Sequence, residues 1–349
     1  MHTSNHKACI KPPRLKKGDR IAALSLSSGM AGDPAIRWRY EQGKQQLTEL
    51  GFEVVEPALT LAGSSVVYHD VKGRAACLHE ALLDNEIAAI IAVIGGDDSY
   101  RLFEFIDIEL IRSHPKIFIG YSDSTSIHQM FRMAGVVSFY GPCLLVDMAE
   151  NGGIFDFTKN SFEHILMKHN VTYTFPWRKE WTSQFVSWDE ANKKVSRKMQ
   201  PDEGGITLQG SGIVEGRLIG GCFEVLSMLR GTSLFPAKED FKEALLLLET
   251  SEMHPDPIQL EIDLRTLGVM GVLQEVNGLL FGKPQDNLHF ESYQVSIRKV
   301  LQEFHLDDLP VLYNCNFGHT EPKWTIPLGV TARLDIENRT LTLLESATV

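Results

Sequence analysis

Between residues 20 and 134, short apolar runs alternate with helical patterns, and this alternation constrains the chain more than any other feature. The run at 20–26 ends in Ser27-Ser28-Gly29, and a helical stretch then runs from Pro34 to Leu50. Gly51 stops that stretch as a C-terminal cap does. Residues 52–55 read as a second strand and 71–85 as a second helix. The third strand, 88–94, is apolar at every position, the mark of a parallel strand covered on both faces. It breaks at Gly95-Gly96-Asp97-Asp98-Ser99, and a helical pattern begins at Tyr100. A fourth strand, 116–120, runs into Tyr121-Ser122-Asp123-Ser124 and a helix to Ala134. That order predicts an α/β fold built on a doubly wound parallel sheet, with its working residues at the carboxyl ends of the strands.

The pattern changes after Asn170. Residues 175–191 hold Trp177, Trp181 and Trp188, three of the five tryptophans, among polar neighbours and with no clear period. Residues 192–205 are charged and punctuated by Gly and Pro, which reads as a linker or exposed loop. Beyond them come strand-like segments at 213–218, 244–249, 276–281, 309–313, 331–335 and 340–344, with helices around 222–230 and 293–304. The expected division is therefore a doubly wound domain at 1–170, a Trp-rich loop and linker at 171–205, and a smaller mixed α/β domain at 206–349 with more antiparallel character.

A length of 349 residues is itself a prior for two domains. The longest apolar stretches, 87–94 and 244–248, fall far short of the roughly 20 residues a membrane span needs. A net charge of −11, from 34 basic against 45 acidic residues, argues against nucleic-acid and anionic-membrane partners. The basic cluster Lys7, Lys11, Arg14, Lys16, Lys17 and Arg20 reads as a solvated N-terminal arm. Residues 1–10 lack the apolar core of a signal peptide, which predicts a cytoplasmic protein. Cys9, Cys77, Cys143, Cys222 and Cys315 are odd in number and scattered, as expected of reduced thiols. No metal or other cofactor is expected: H-E-x-x-H is absent, and His164 and His169 are spaced wrongly for one helical face.

Ser122 stands where a buried strand must turn sharply into a helix, with Gly120 before it and small Ser124 after. The geometry resembles a nucleophile elbow, although Ser124 replaces the second glycine of Gly-x-Ser-x-Gly. The N–H groups that follow open a helix and can stabilise an oxyanion. An ordinary helix N-cap at Ser122 or Asp123 is the competing reading. A serine nucleophile needs a base, and the base an orienting carboxylate. His319, carried on the loop Asn316-Phe317-Gly318-His319-Thr320, is the first choice of base. His128 is expected on a helix surface, and His2, His6, His69 and His305 in solvent. Glu249 ends the strand Ala-Leu-Leu-Leu-Leu, where a charge is costly unless paired; Glu252 is its nearest competitor. The 95–99 segment lacks the phosphate-loop pattern and reads as a tight turn bringing backbone N–H groups beside Ser122.

Four segments occur in order: Ile94-Gly-Gly-Asp-Asp-Ser-Tyr100, Ile119-Gly-Tyr-Ser-Asp-Ser124, Leu246-Leu-Leu-Glu-Thr250 and Asn316-Phe-Gly-His-Thr320. Together they resemble the LD-carboxypeptidase family of serine peptidases, from about Leu15 to Val330. The resemblance implies a triad of Ser122, Glu249 and His319, with oxyanion donors at the backbone N–H groups of Gly96 and Asp123. It also implies a flavodoxin-like N-terminal domain, a smaller C-terminal domain, no metal, and a homodimer. The stretch 180–188 looks like the extra loop of the branch that includes the microcin C immunity carboxypeptidase. In that branch an aromatic stacks on the nucleobase of a peptidyl or aminoacyl nucleotide. Trp181 and Trp188 are the candidates here, while Trp177 beside Pro176 reads as structural. Gly220-Gly221-Cys222 has Cys where the family's turn has Asn, which puts a substrate contact at 222 in question. The expected function is cleavage of an amide in a small nucleotide conjugate, for self-immunity or detoxification. The alternatives are a murein LD-carboxypeptidase that trims terminal D-alanine from a tetrapeptide and, from another class, a non-catalytic two-lobed binding protein.

Overall fold

A computed structural model describes residues 8–169 and 171–349. Five parallel strands, β1 (Arg20–Leu24), β2 (Glu53–Val55), β3 (Ile87–Ala92), β4 (Ile117–Gly120) and β5 (Ser138–Tyr140), form a sheet in the order 2-1-3-4-5. That is the flavodoxin-like order, with its switch point between β1 and β3. Successive side chains on a strand point to opposite faces, and the core divides accordingly. Ile21, Ala23, Ala89, Ile91, Ile117 and Ile119 pack with Tyr40 and Leu47 of helix Arg37–Glu49 and with Phe162 of helix Asp156–Met167. Ala22, Leu24, Ile90, Ala92 and Phe118 pack on the other face, against Leu78 of helix Val71–Leu83 and Phe131 of helix Thr125–Ala134. Both faces are covered, which is why β3 carries no polar position.

The C-terminal half holds an eight-stranded mixed sheet. Its centre is also parallel: Ile213–Cys222, Leu245–Glu249, Gly278–Gly282 and Val311–Cys315 lie side by side. Antiparallel pairing is confined to the flanks, where Thr331–Asp335 joins the first of these and Ile206–Gln209 the last. A helix at Pro257–Val269, opened by the Asp256 cap and Pro257, was not legible. Its outer residues Ile258 and Val269 are 68% and 77% exposed, so its apolar positions do not trace one face.

Leu246, Leu248, Leu279 and Phe281 pack on the helices Pro257–Val269 and Phe290–Glu303. From the opposite face, Leu218, Leu245, Leu247, Leu280 and Leu312 join the apolar cluster that covers the first sheet. Ile326–Leu328 then crosses back to pair antiparallel with β5. A shared core and a shared strand bring the carboxyl ends of the two sheets together.

The basic arm is pinned rather than solvated along its length. Ile10 bridges to Val136, the Arg14 and Leu15 N–H groups donate to the carbonyls of Val349 and Leu166, and Lys11 pairs with Glu345. Arg20 pairs with Glu53 and Glu86, while Arg14, Lys16 and Lys17 face solvent. Lys7, His2 and His6 lie outside the described residues. All five cysteines are free. Among the described residues, no helix is long and apolar enough to cross a membrane.

Candidate active site

At the end of β4 the chain stays extended through Tyr121, at φ −143°, and then turns at Ser122, whose φ is +62°. A serine in the left-handed region costs on the order of 1–3 kcal/mol and persists only where its surroundings fix it. They do so by close packing: a β-carbon on Gly120 would come within 2.7 Å of Ser124 Oγ, and one on Gly95 within 3.0 Å of Ser122 Cβ. The 95–99 turn is tied to the elbow through the fully buried Asp123. Its Oδ2 accepts from the Ser27 hydroxyl at 2.6 Å and from the N–H groups of Asp98 and Ser99 at 3.2 and 2.8 Å. Burial raises the Asp123 pKa while these donors pull the other way. Arg74, with no exposed surface, braces the turn through two bonds to Asp98 at 2.8 and 3.0 Å. The peptide at Gly95-Gly96 therefore runs directly against Ser122 and Asp123, at the carboxyl ends of β3 and β4.

Glu249 ends its strand, paired in register with Cys222, and is 1% exposed. Gly318 leaves room for it, since a β-carbon there would lie 2.6 Å from Glu249 Oε2. That oxygen accepts from His319 Nδ1 at 2.7 Å. Its other oxygen accepts from the Tyr140 hydroxyl, which itself accepts the Ser122 N–H at 3.1 Å. Tyr140 thus links elbow to carboxylate. Sequence reasoning did not single it out, because a lone tyrosine in a short buried strand carries no distinguishing signal. Burial alone would raise the Glu249 pKa; His319 and the Tyr140 bond bring it below the ordinary carboxylate value. For His319, burial lowers the pKa, but Glu249 and then Glu252 outweigh it and leave the ring above the usual histidine value. Glu252 Oε2 lies 3.1 Å from Nε2, so the ring carries a carboxylate on each nitrogen.

Tyr140→Phe should leave one Glu249 oxygen buried without its donor, a penalty of about 1–3 kcal/mol. If the tyrosine holds the carboxylate for catalysis, kcat should fall roughly 10- to 100-fold with KM little changed. An unaltered kcat in steady-state assays would reduce Tyr140 to packing.

A cavity of about 390 Å³ opens above these groups, lined among others by Gly96, Ser122, His319, Glu252, Phe185 and Trp188. Trp188 is held there by its carbonyl, which accepts from Trp38 Nε1 at 3.2 Å, and the Arg39 guanidinium lies 4.3 Å from its ring centroid. Trp181 does not share this wall. It sits in a two-residue strand, 3% exposed, with Lys283 Nζ 4.3 Å from its ring. Trp177 packs on Trp324 with ring centroids 5.0 Å apart, as a structural residue does. Phe185 is 77% exposed at the cavity, an aromatic that only its place between Trp181 and Trp188 could have flagged.

The 192–205 segment is largely exposed, as a loop is, and from it Arg197 reaches in to pair with Glu150 and, at 2.8 Å, with Glu321. His128 is not on a surface: it is buried, with ring nitrogens 2.8 Å from Ser138 Oγ and 2.9 Å from the Gly120 carbonyl oxygen. Burial lowers its pKa to about 4, so it braces the end of β4 as a neutral ring. Cys222 is turned from the cavity, its thiol 3.5 Å from Glu224 and its N–H donating to Thr125 Oγ1 at 2.9 Å.

Residues 21–141 match the N-terminal domain of the LD-carboxypeptidase family, and residues 215–334 match its C-terminal domain. The chain belongs to the LD-carboxypeptidase family. It is a serine-type carboxypeptidase, a hydrolase. This LD-carboxypeptidase is 30% identical to the microcin C7 self-immunity protein MccF of Escherichia coli, over 99% of this chain and 98% of that one. It is 28% identical to a probable murein peptide carboxypeptidase of Bacillus subtilis, over 95% and 93% of the two chains. The crystal structure of an MccF-like protein from Streptococcus pneumoniae in complex with AMP matches with a TM-score of 0.86 at 29% identity, covering 93% of this chain and 98% of that one. Microcin C7 self-immunity protein MccF in complex with aspartyl sulfamoyl adenosine matches at 0.85 and 28% identity, over 97% and 100%.

Proposed function

We propose that this LD-carboxypeptidase cleaves the acyl–nitrogen bond of a small peptidyl- or aminoacyl-nucleotide conjugate, using Ser122, His319 and Glu249. Ser122 Oγ attacks the carbonyl carbon as His319 Nε2 takes its proton, and Glu249 holds Nδ1–H and stabilises the imidazolium. The N–H groups of Gly96 and Asp123 receive the negative charge that develops on the carbonyl oxygen. His319 then protonates the leaving nitrogen as the C–N bond breaks; a water that gives its proton to His319 attacks the Ser122 ester, and His319 returns that proton to Ser122 Oγ as the C–O bond breaks and the acid leaves. Such an activity would serve self-immunity or detoxification in the cytoplasm.

One observation carries the substrate class: Trp188 stands on the wall of the cavity that also holds Ser122 and His319. A nucleobase stacked on it gains about 1–3 kcal/mol. The two solved relatives bound to AMP and to aspartyl sulfamoyl adenosine add support. Trp188→Ala should therefore raise KM for aspartyl sulfamoyl adenosine about 5- to 150-fold, since the base binds ground and transition states alike. Cleavage of a murein tetrapeptide, which has no base, should hardly change, and Phe should rescue better than Leu. Equal losses on both substrates would favour the murein reading.

A further inference from the structure

The site holds one more carboxylate than a serine triad needs. Glu249 is fully buried and fixed by Tyr140 and His319. Glu252 differs in kind: its side chain is 64% exposed, it sits on the loop after the strand, and it meets His319 Nε2 at 3.1 Å. Nε2 is the nitrogen that must accept the Ser122 proton. With both ring nitrogens donating to carboxylates the histidine is protonated twice and has no lone pair to offer. The other groups around the ring do not relieve this. Tyr121 presents its ring with centroids 5.0 Å apart, and Lys323, itself 3.5 Å from the Tyr121 ring, opposes the two carboxylates only in part. Turnover therefore requires that Glu252 leave Nε2.

The surroundings indicate what draws it away. Glu252 and Gln285 line the same cavity as Ser122, and Gln285 Oε1 is buried with no hydrogen-bond partner. Their loops are joined where His254 Nε2 lies 3.7 Å from Asp286 Oδ2. Both groups accept hydrogen bonds, so the ligand they suit is a donor and, opposite a carboxylate, a cation. An α-ammonium group stands two bonds from the carbonyl carbon that Ser122 attacks, within reach of a side chain that already touches the base.

We propose that Glu252 holds His319 idle in the resting enzyme and is drawn off by the free α-ammonium of the acyl residue, with Gln285 as the second acceptor. The proposal rests on the assignment of Ser122, His319 and Glu249. It makes Glu252 a specificity determinant that favours aminoacyl over peptidyl conjugates: a substrate with a free amine releases the base more readily than one whose amine is blocked.

The test compares aspartyl sulfamoyl adenosine with its Nα-acetyl derivative, for the wild type and for Glu252→Gln, Glu252→Asp and Ser122→Ala, as kcat/KM against pH. The wild type should prefer the free amine, and Glu252→Gln should lower that preference about 10- to 100-fold, the worth of one charge-assisted contact. Removing the negative charge favours the neutral ring, so the acid limb of Glu252→Gln should also move to lower pH. Glu252→Asp should recover part of both effects. An unchanged preference overturns the proposal, even if the pH limb moves, because the ammonium is then not the group that displaces Glu252. An unchanged limb overturns it as well. Ser122→Ala separates the levels: if it stays active, the triad assignment has failed; if it is dead while Glu252→Gln behaves as wild type, only the role of Glu252 has. Wild-type enzyme inactive on both compounds overturns the proposal together with the substrate class.

Discussion

Replacing Ser122 by alanine is expected to lower kcat by on the order of 10⁶, the scale seen when a serine triad loses its nucleophile. The loss should be confined to chemistry. Alanine keeps the backbone N–H that donates to Tyr140, and it adds no atom to an elbow packed against Gly95. Thermal unfolding and binding of a nucleotide conjugate should therefore stay near wild type. A purified variant that kept more than a tenth of wild-type kcat would remove Ser122 from the mechanism.

Glu249→Gln is expected to cost about 10⁴ in kcat, because an amide no longer enforces the Nδ1–H tautomer while the nucleophile remains. The sign of the pH effect adds a second readout. Glu249 is the larger of the two carboxylate influences that keep the His319 pKa above its ordinary value. In the wild type the base must lose a proton before it can act, so activity should rise with pH through that raised value. The glutamine variant should show a far lower plateau whose acid limb lies at lower pH. Glu252→Gln also moves the limb down, but it leaves the tautomer intact and should lack the 10⁴-fold loss. Large losses at Glu252 with little change at Glu249 would exchange the two roles.

The first sheet could be read from the chain because its strands are short, buried on both faces and ended by glycines, as at Ile94-Gly95-Gly96 and Gly120-Tyr121-Ser122. A strand whose neighbours in sequence are also its neighbours in space leaves a local signal. The second sheet was harder. Gly278–Gly282 and Val311–Cys315 pair in parallel across a long connection, and nothing in either segment states its partner. The helix Pro257–Val269 escaped because its apolar residues are spread around the axis. At the site, Glu249 announced itself as a charge at the end of a leucine run. Tyr140 and Arg197 did not, since their roles come from contacts 109 and 124 residues away. The tryptophans show the same limit. Composition marked 175–191 as unusual, but only the two-residue strand that turns Trp181 inward separates it from Trp188.

The proposed activity is tested most directly by hydrolysis of aspartyl sulfamoyl adenosine and of a murein tetrapeptide, measured side by side with one preparation and its Ser122→Ala variant. Release of the amino acid from the nucleotide conjugate is expected with a kcat/KM at least tenfold above that for terminal D-alanine from the peptide, a margin one stacked base of about 1–3 kcal/mol can supply. Both activities should vanish with the Ser122 hydroxyl. A tetrapeptide cleaved faster than the conjugate would contradict the substrate class, and turnover of either by the alanine variant would contradict the mechanism.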